Sequence, residues 1–193
     1  MKLRLIPAIL AVVVAATMAV DAKIKVKAQF DKTFKFQGLK TYAWDPTGVG
    51  DVKILQADPA RKPEALKAQW EPVILSSIEQ TLASRGFTKG PIGTADLKVY
   101  YYVLIGAGTN AQVMGQFLPA VPQWGIPPFD ASTSALEVYP QGTLIIDLSS
   151  PAAQAMVWRG SAQTEVDFQA SDATREKRIR ESIQEMFKKF PPK

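Results

Sequence analysis

The chain contains no cysteine and no histidine, and these two absences restrict its folding and its chemistry more than any residue it does contain. No disulfide can close, so the fold must rest on a buried apolar core. No thiolate or imidazole can ligate zinc or copper, and every catalytic dyad or triad built on His or Cys is excluded. What remains is chemistry by carboxylate, Lys, Ser or Tyr, with no cofactor implied. The composition supplies the core: at 47% hydrophobic and 21% charged residues the chain is too apolar for disorder and too charged for a multi-span membrane protein.

Lys2 and Arg4 precede an uncharged, mostly small or branched run from Leu5 to Val20, which ends in Val20-Asp21-Ala22. Positive, apolar and small-residue segments in that order form a secretory signal peptide, with cleavage expected after Ala22. A bilayer-spanning helix needs about 20 apolar residues, and this shorter run has Pro7 near its start, which argues against an uncleaved anchor. The mature chain, 23–193, is then the length of one domain and carries no transmembrane helix. With no Cys to accept a lipid, a periplasmic or secreted, unlipidated protein is expected. The formal charge is +5, and cleavage lowers it by one. So mild an excess serves solubility, and an exported protein meets envelope proteins, glycans or lipid surfaces rather than nucleic acid.

Strict alternation from Lys23 to Phe30 predicts a half-buried strand, with Ile24, Val26, Ala28 and Phe30 inward and lysines guarding a sheet edge. Leu39–Trp44 is a second strand closed by Asp45-Pro46, and Pro46 to Lys62, broken by Gly48, Gly50 and Pro59, reads as a loop. Leu66, Trp70, Val73, Ile74, Ile78 and Leu82 recur at helical spacing, with the main helix expected to start at Pro72 and Gly86 to end it in a left-handed cap under Phe87. Asp96 to Ile105, apolar on both faces, suits the centre of a sheet. Thr143–Leu148 and Met156–Phe168 follow as a hairpin turning at 149–154, and the Val157, Arg159, Ser161 face of its second strand is expected to be wet. Ser171 or Asp172 caps a last helix whose stripe is Ile179, Ile183, Met186, Phe187 and Phe190. The order β-β-α-β-β-β-α predicts an α+β fold: an antiparallel sheet of about five strands with two helices packed on one face, Trp158 meeting Phe187 between them.

Six segments together resemble the DUF4136 family of exported bacterial proteins: Leu39-Lys40-Thr41-Tyr42-Ala43-Trp44, Arg85-Gly86-Phe87, Ala95-Asp96-Leu97, Gly142 to Leu148, Val157-Trp158-Arg159-Gly160 and Phe187-Lys188-Lys189-Phe190-Pro191. The resemblance implies an α+β fold and an envelope or secreted location, and it brings no catalytic residues. The chain departs from the family pattern in having no lipid-acceptor Cys, and in placing Gln154 where the hairpin turn tends to hold glycine.

Among the polar residues, Asp147 and Arg159 are expected to pair across the hairpin as a sheet stabiliser. Glu165 and Asp167 share a strand face but are too few for a calcium site. Gly106-Ala107-Gly108 lacks the following helix and Lys-Ser/Thr of a phosphate loop. Arg175, Lys177, Arg178 and Arg180, interrupted by Glu176 and Glu181, read as a solvated helix face laced with ion pairs. The longest connection, 106–137, is nearly uncharged and holds Phe117, Trp124 and Phe129 among four prolines. Long loops are usually functional or disordered: either the loop folds back over the open face of the sheet and its aromatics join the core, or they are exposed, and in that case these three are the candidate partner-binding residues. The reading is a non-enzymatic binding or accessory module of the envelope; a carboxylate-, Tyr- or Lys-based enzyme and a purely structural subunit are the alternatives.

Overall fold

The computed structural model describes residues 24–54, 62–105, 142–164 and 169–192. Its elements are β1 (Lys25–Phe30), β2 (Thr41–Ile54), α1 (Pro63–Ala83), β3 (Thr88–Lys89), β4 (Leu97–Ile105), β5 (Thr143–Ser150), β6 (Ala155–Gln163) and α2 (Asp172–Phe187). The strands form one sheet in the order β1-β6-β5-β4-β2-β3. It is six-stranded and mixed rather than five-stranded and antiparallel. β5 and β6, joined by a tight turn, are antiparallel, as are β4–β5 and β1–β6, whereas β2 runs parallel to both β4 and β3. The cause is α1: a helix between β2 and β4 carries the chain back to the same end of the sheet, so the next strand starts in the same direction.

Both helices lie on one sheet face. The core is built from Ile74, Ile78 and Leu82 of α1, Ile183, Met186 and Phe187 of α2, and the alternate residues Leu97, Val99 and Tyr101 of β4, with Leu144, Ile146 and Leu148 of β5. The expected meeting of Trp158 and Phe187 is present, their rings stacked with centroids 4.7 Å apart. Phe190 packs edge-on against both, at 5.4 Å from each. Gly160 sits directly under the Trp158 ring, where any Cβ would run into the indole. β4 is interior to the sheet, as its two-sided apolarity requires. At the end of α1, Gly86 takes φ +83° and the Phe87 N–H closes on the Leu82 carbonyl at 3.1 Å, the left-handed cap that its position indicated.

Four expectations are corrected. β1 is an edge strand, but Lys25 to Ala28 are exposed on both sides, Val26 included; it has β6 on one side and, among the described residues, no strand on the other. β2 does not stop at Asp45-Pro46. It continues to Ile54, pairing Val49 with Tyr101 and Ile54 with Ile105, and register shifts between Trp44, Val49 and Asp51 absorb the Pro and Gly residues that suggested a loop. α1 begins at Pro63 and runs through Pro72. Pro72 is on the exposed side, so its missing N–H and ring clash, worth about 3 kcal/mol, are offset by keeping the half-buried Leu66 and Trp70 on the same helix stripe as the buried Ile74 and Ile78. Finally, Val157, Arg159 and Ser161 are buried, not wet; alternation within one strand cannot tell a solvated polar face from a covered one. The Met156–Phe168 strand ends at Gln163 in the structure, and Glu165, Val166, Asp167 and Phe168 lie outside the described residues.

Asp96 fastens β4 to β2. Its Oδ2 accepts the N–H groups of Lys40 and Thr41, each at 2.9 Å, and the Thr41 hydroxyl at 2.7 Å. The bond from the Lys40 N–H, then that from the Thr41 hydroxyl, holds the carboxyl below the usual Asp range. A lowered folded-state pKa stabilises above the unfolded value and loses that contribution as pH falls through the folded one. Asp96→Asn is therefore expected to cost most at neutral pH, with the gap from the parent chain shrinking as pH drops below about 4. Urea melts at pH 7 and pH 3 check it; a gap equal at both values removes the linkage.

Candidate functional site

At the end of the sheet where β4 leaves the core and β5 begins, the two helices and the strands do not close on each other. They leave a cavity of about 170 Å³. α1 contributes Leu66, Trp70 and Ile74, and the strands contribute Val103, Leu144 and Ala162. Both sets follow from the amphipathic patterns: the helix stripe and the alternate strand residues point inward, and at this end the spacing between them exceeds what their side chains fill. The cavity is open on one side, and its lining is overwhelmingly apolar.

Four charged side chains line it as well, Lys67 and Glu71 from α1 and Arg175 and Arg178 from α2. Glu71 accepts a hydrogen bond from the Tyr101 hydroxyl at 2.7 Å and lies 3.8 Å from the Lys67 ammonium. Tyr101 is fully buried, and burial first, with the Glu71 hydrogen bond and charge adding to it, pushes the phenol far above the ordinary Tyr range. Tyr101 is thus a neutral donor and no proton acceptor at physiological pH. Arg175 pairs with Asp172 at 3.1 Å. Arg178 differs from every other arginine of α2: its buried Nε has no hydrogen-bond partner. A buried guanidinium nitrogen left unsatisfied is costly, and here it belongs to a side chain lining an open apolar cavity.

The opposite sheet face carries a polar row, but each member is engaged. Arg159 donates through Nε and Nη2 to the two oxygens of Asp147, both at 2.7 Å, with neither residue more than 1% exposed. This is the expected cross-strand pair, now seen to be wholly buried. Tyr100 donates to Asp45 at 3.0 Å, and Lys98 lies 3.2 Å from the same carboxylate. The row resembles a set of sheet fasteners, since every carboxylate in it is met by a donor on the neighbouring strand. Among the described residues no three His, Cys, Asp or Glu side chains cluster as metal ligands.

Phe117, Trp124 and Phe129, the aromatics singled out from the sequence, lie outside the described residues, as does Gly106-Ala107-Gly108. Of the described residues that flank this stretch in sequence, Val103, Gly142 and Thr143 line the cavity. Of the basic run on α2, the ion-pair reading holds for Arg180 with Glu176 at 2.7 Å and Lys177 with Glu181 at 3.7 Å. It fails for Arg178, and Glu71, Trp70 and Tyr101 were not recognised as site residues at all. One signal could have found Arg178: Arg175, Arg178, Ile179 and Ser182 fall at i, i+3, i+4 and i+7, so two arginines occupy the inward stripe of the helix.

The class defined by this architecture is an α+β protein with two helices against one face of a six-stranded mixed sheet. The family model DUF4136, a domain of unknown function, matches residues 26–192, and the chain belongs to that family. Among solved structures the chain is similar to a DUF4136 family protein from Bacteroides thetaiotaomicron, at 16% identity over 89% of this chain and 97% of that one, with a TM-score of 0.53. It is also similar to a PDZ domain protein from Parabacteroides distasonis, at 16% identity and a TM-score of 0.50, over 89% of this chain and 37% of that one. A comparison with curated proteins found no match. At such identities the likeness concerns the fold. The segments that carried the family resemblance serve the fold too: Thr41 is bound by Asp96, the Arg85 Nε donates to the Phe187 and Phe190 carbonyls at 2.8 and 3.0 Å, Asp147 holds Arg159, and Trp158 stacks on Phe187.

Proposed function

We propose that the chain is an exported protein of the cell envelope that acts as a non-enzymatic binding module, taking an apolar group into the cavity between α1, α2 and the sheet. The observation that carries this reading is the cavity itself: it is open, apolar, and of a size with the ~150 Å³ cavities that accept a benzene-sized molecule. Among the described residues the lining holds no catalytic pairing, because its phenol is held neutral and its carboxylate is already bonded to that phenol. Export is supported by the order of charge, apolar run and small residues ahead of Lys23. Phe117, Trp124 and Phe129 are proposed to add contacts with a partner, since Val103 and Gly142, described residues on either side of their segment in sequence, line the same cavity.

Native mass spectrometry of the protein released from the envelope tests this in one measurement. The expected species begins at Lys23 and carries a non-covalent small molecule that leaves on collisional activation. Trp124→Ala is expected to lower recovery of a crosslinked partner without moving the melting temperature. A full-length chain that stays with membranes through a carbonate wash would end the export reading. A chain that emerges without adduct and takes up no hexanol on titration would end the binding one.

A further inference from the structure

We infer that the end of the molecule opposite the cavity is a docking surface for an anionic lipid bilayer, with Lys32, Lys35, Lys40 and Lys189 against the headgroups and Ile92 reaching between them. The placement follows from the topology. The cavity lies where β4 and β6 end and β5 begins. At the other end β1 and α2 finish, β2 and β4 start, and residues 31–40 carry the chain from β1 to β2. In the order β1-β6-β5-β4-β2 these two strands are four spacings apart, a span of roughly 19 Å. The connection is therefore drawn across this whole end of the sheet. Its aromatics anchor it: Phe36 is buried, edge-on to Phe190 at 5.8 Å and to Phe34 at 4.9 Å. Its lysines, Lys32, Lys35 and Lys40, stay exposed. Lys189 joins them, exposed in the turn where the Phe190 N–H closes on the Phe187 carbonyl.

None of these four lysines meets a carboxylate among the described residues, whereas Lys67, Lys89, Lys98, Lys177 and Lys188 each do. The carboxylates at this end are engaged elsewhere: Asp31 by Thr33, Asp96 by Lys40 and Thr41 through their N–H groups, and Glu185 by Lys188. Arg85, held on the Phe187 and Phe190 carbonyls, adds a further cation. A row of free lysines alone would suit any polyanion, and the apolar groups among them favour a bilayer. Ile92 is 41% exposed. It sits in the turn before Asp96, whose carboxylate holds the Lys40 N–H, so it belongs to this end, as does the half-buried Phe34 beside Lys35. Lysines reach phosphate while an isoleucine between them is desolvated at the acyl boundary; a soluble polyanion offers only the first contact.

Cosedimentation of the protein released from the envelope with phosphatidylglycerol and with phosphatidylcholine vesicles tests this. The protein is expected to pellet with the first, to ignore the second, and to come off when salt is raised to about 0.5 M. Lys32→Gln, Lys35→Gln and Lys40→Gln should each weaken binding about fivefold, and the triple variant about a hundredfold. Lys177→Gln, which removes a lysine paired with Glu181 toward the start of α2, should change nothing. Ile92→Ser should weaken binding without altering its salt dependence, and matched melting curves would show that the variants are folded. Equal binding to both vesicles, lysine variants that bind like the parent, or a Lys177 variant as weak as the others overturns the inference. If Ile92→Ser binds like the parent and an anionic polysaccharide such as alginate displaces the vesicles, the surface belongs to a soluble polyanion and the bilayer assignment falls. The cavity takes no part in these measurements, so hexanol uptake is decided separately.

Discussion

Trp158→Ala and Phe187→Ala are each expected to lower stability by about 3–5 kcal/mol, the range for deleting a buried aromatic and leaving its cavity. The two rings stack at 4.7 Å between the last helix and β6, and both are buried, at 1% and 0% exposure. The lost space could not be refilled cheaply. Gly160 beneath the indole has no side chain to move in, and Phe190 is already held edge-on by Phe36 at 5.8 Å and in a tilted contact by Phe87 at 5.5 Å. In a domain of this length such a loss corresponds to a fall in melting temperature on the order of 10 °C, a large part of ordinary domain stability. Thermal melts beside surface controls such as Lys189→Ala decide it: aromatic variants that melt with the controls would mean that this stack does not carry the core.

Arg159→Met alone is expected to cost about 3–5 kcal/mol as well, by a different route. Removing the guanidinium leaves Asp147 in a site where burial already pushes its pKa upward and Arg159 is what pulls it back. The carboxylate must then be protonated or left as an uncompensated buried charge. Asp147→Leu together with Arg159→Met should lose far less than the sum of the single changes, because two apolar residues on facing strands, at the Asp147–Arg159 register position, avoid desolvating any charge. A double-mutant cycle by urea denaturation measures the coupling. Single variants within half a kcal/mol of the parent, or a fully additive double variant, would show the pair to be idle.

Reading the chain in one dimension succeeded wherever a local rule had a single outcome. Gly86 had to cap its helix, because few other residues take φ +83° at low cost. Ser171 or Asp172 had to open α2, and it is the Ser171 hydroxyl that accepts the Thr174 N–H, at 3.2 Å. Gln154, flagged as standing in a glycine position, does adopt φ +51° in the 151–154 turn. Reading failed where two rules competed and packing chose between them. Pro72 is a helix breaker by local rules, and a continuous buried stripe overrode it; Gly48 and Gly50 suggested a loop, and pairing with β4 overrode them.

The candidate site shows the same division. Which residues are apolar, that the helices are amphipathic, that Trp158 and Phe187 share a core, and that chemistry by thiol or imidazole is excluded were all determined by the order of amino acids, because each depends on composition or on periodicity along the chain. The parallel pairing of β2 with β4, the burial of the Asp147–Arg159 pair and the cavity that collects Tyr101, Glu71 and Arg178 were decided only by the tertiary structure. Each depends on how far apart α1, α2 and the sheet come to rest, a distance set by the sum of side-chain volumes across three elements that no local pattern encodes.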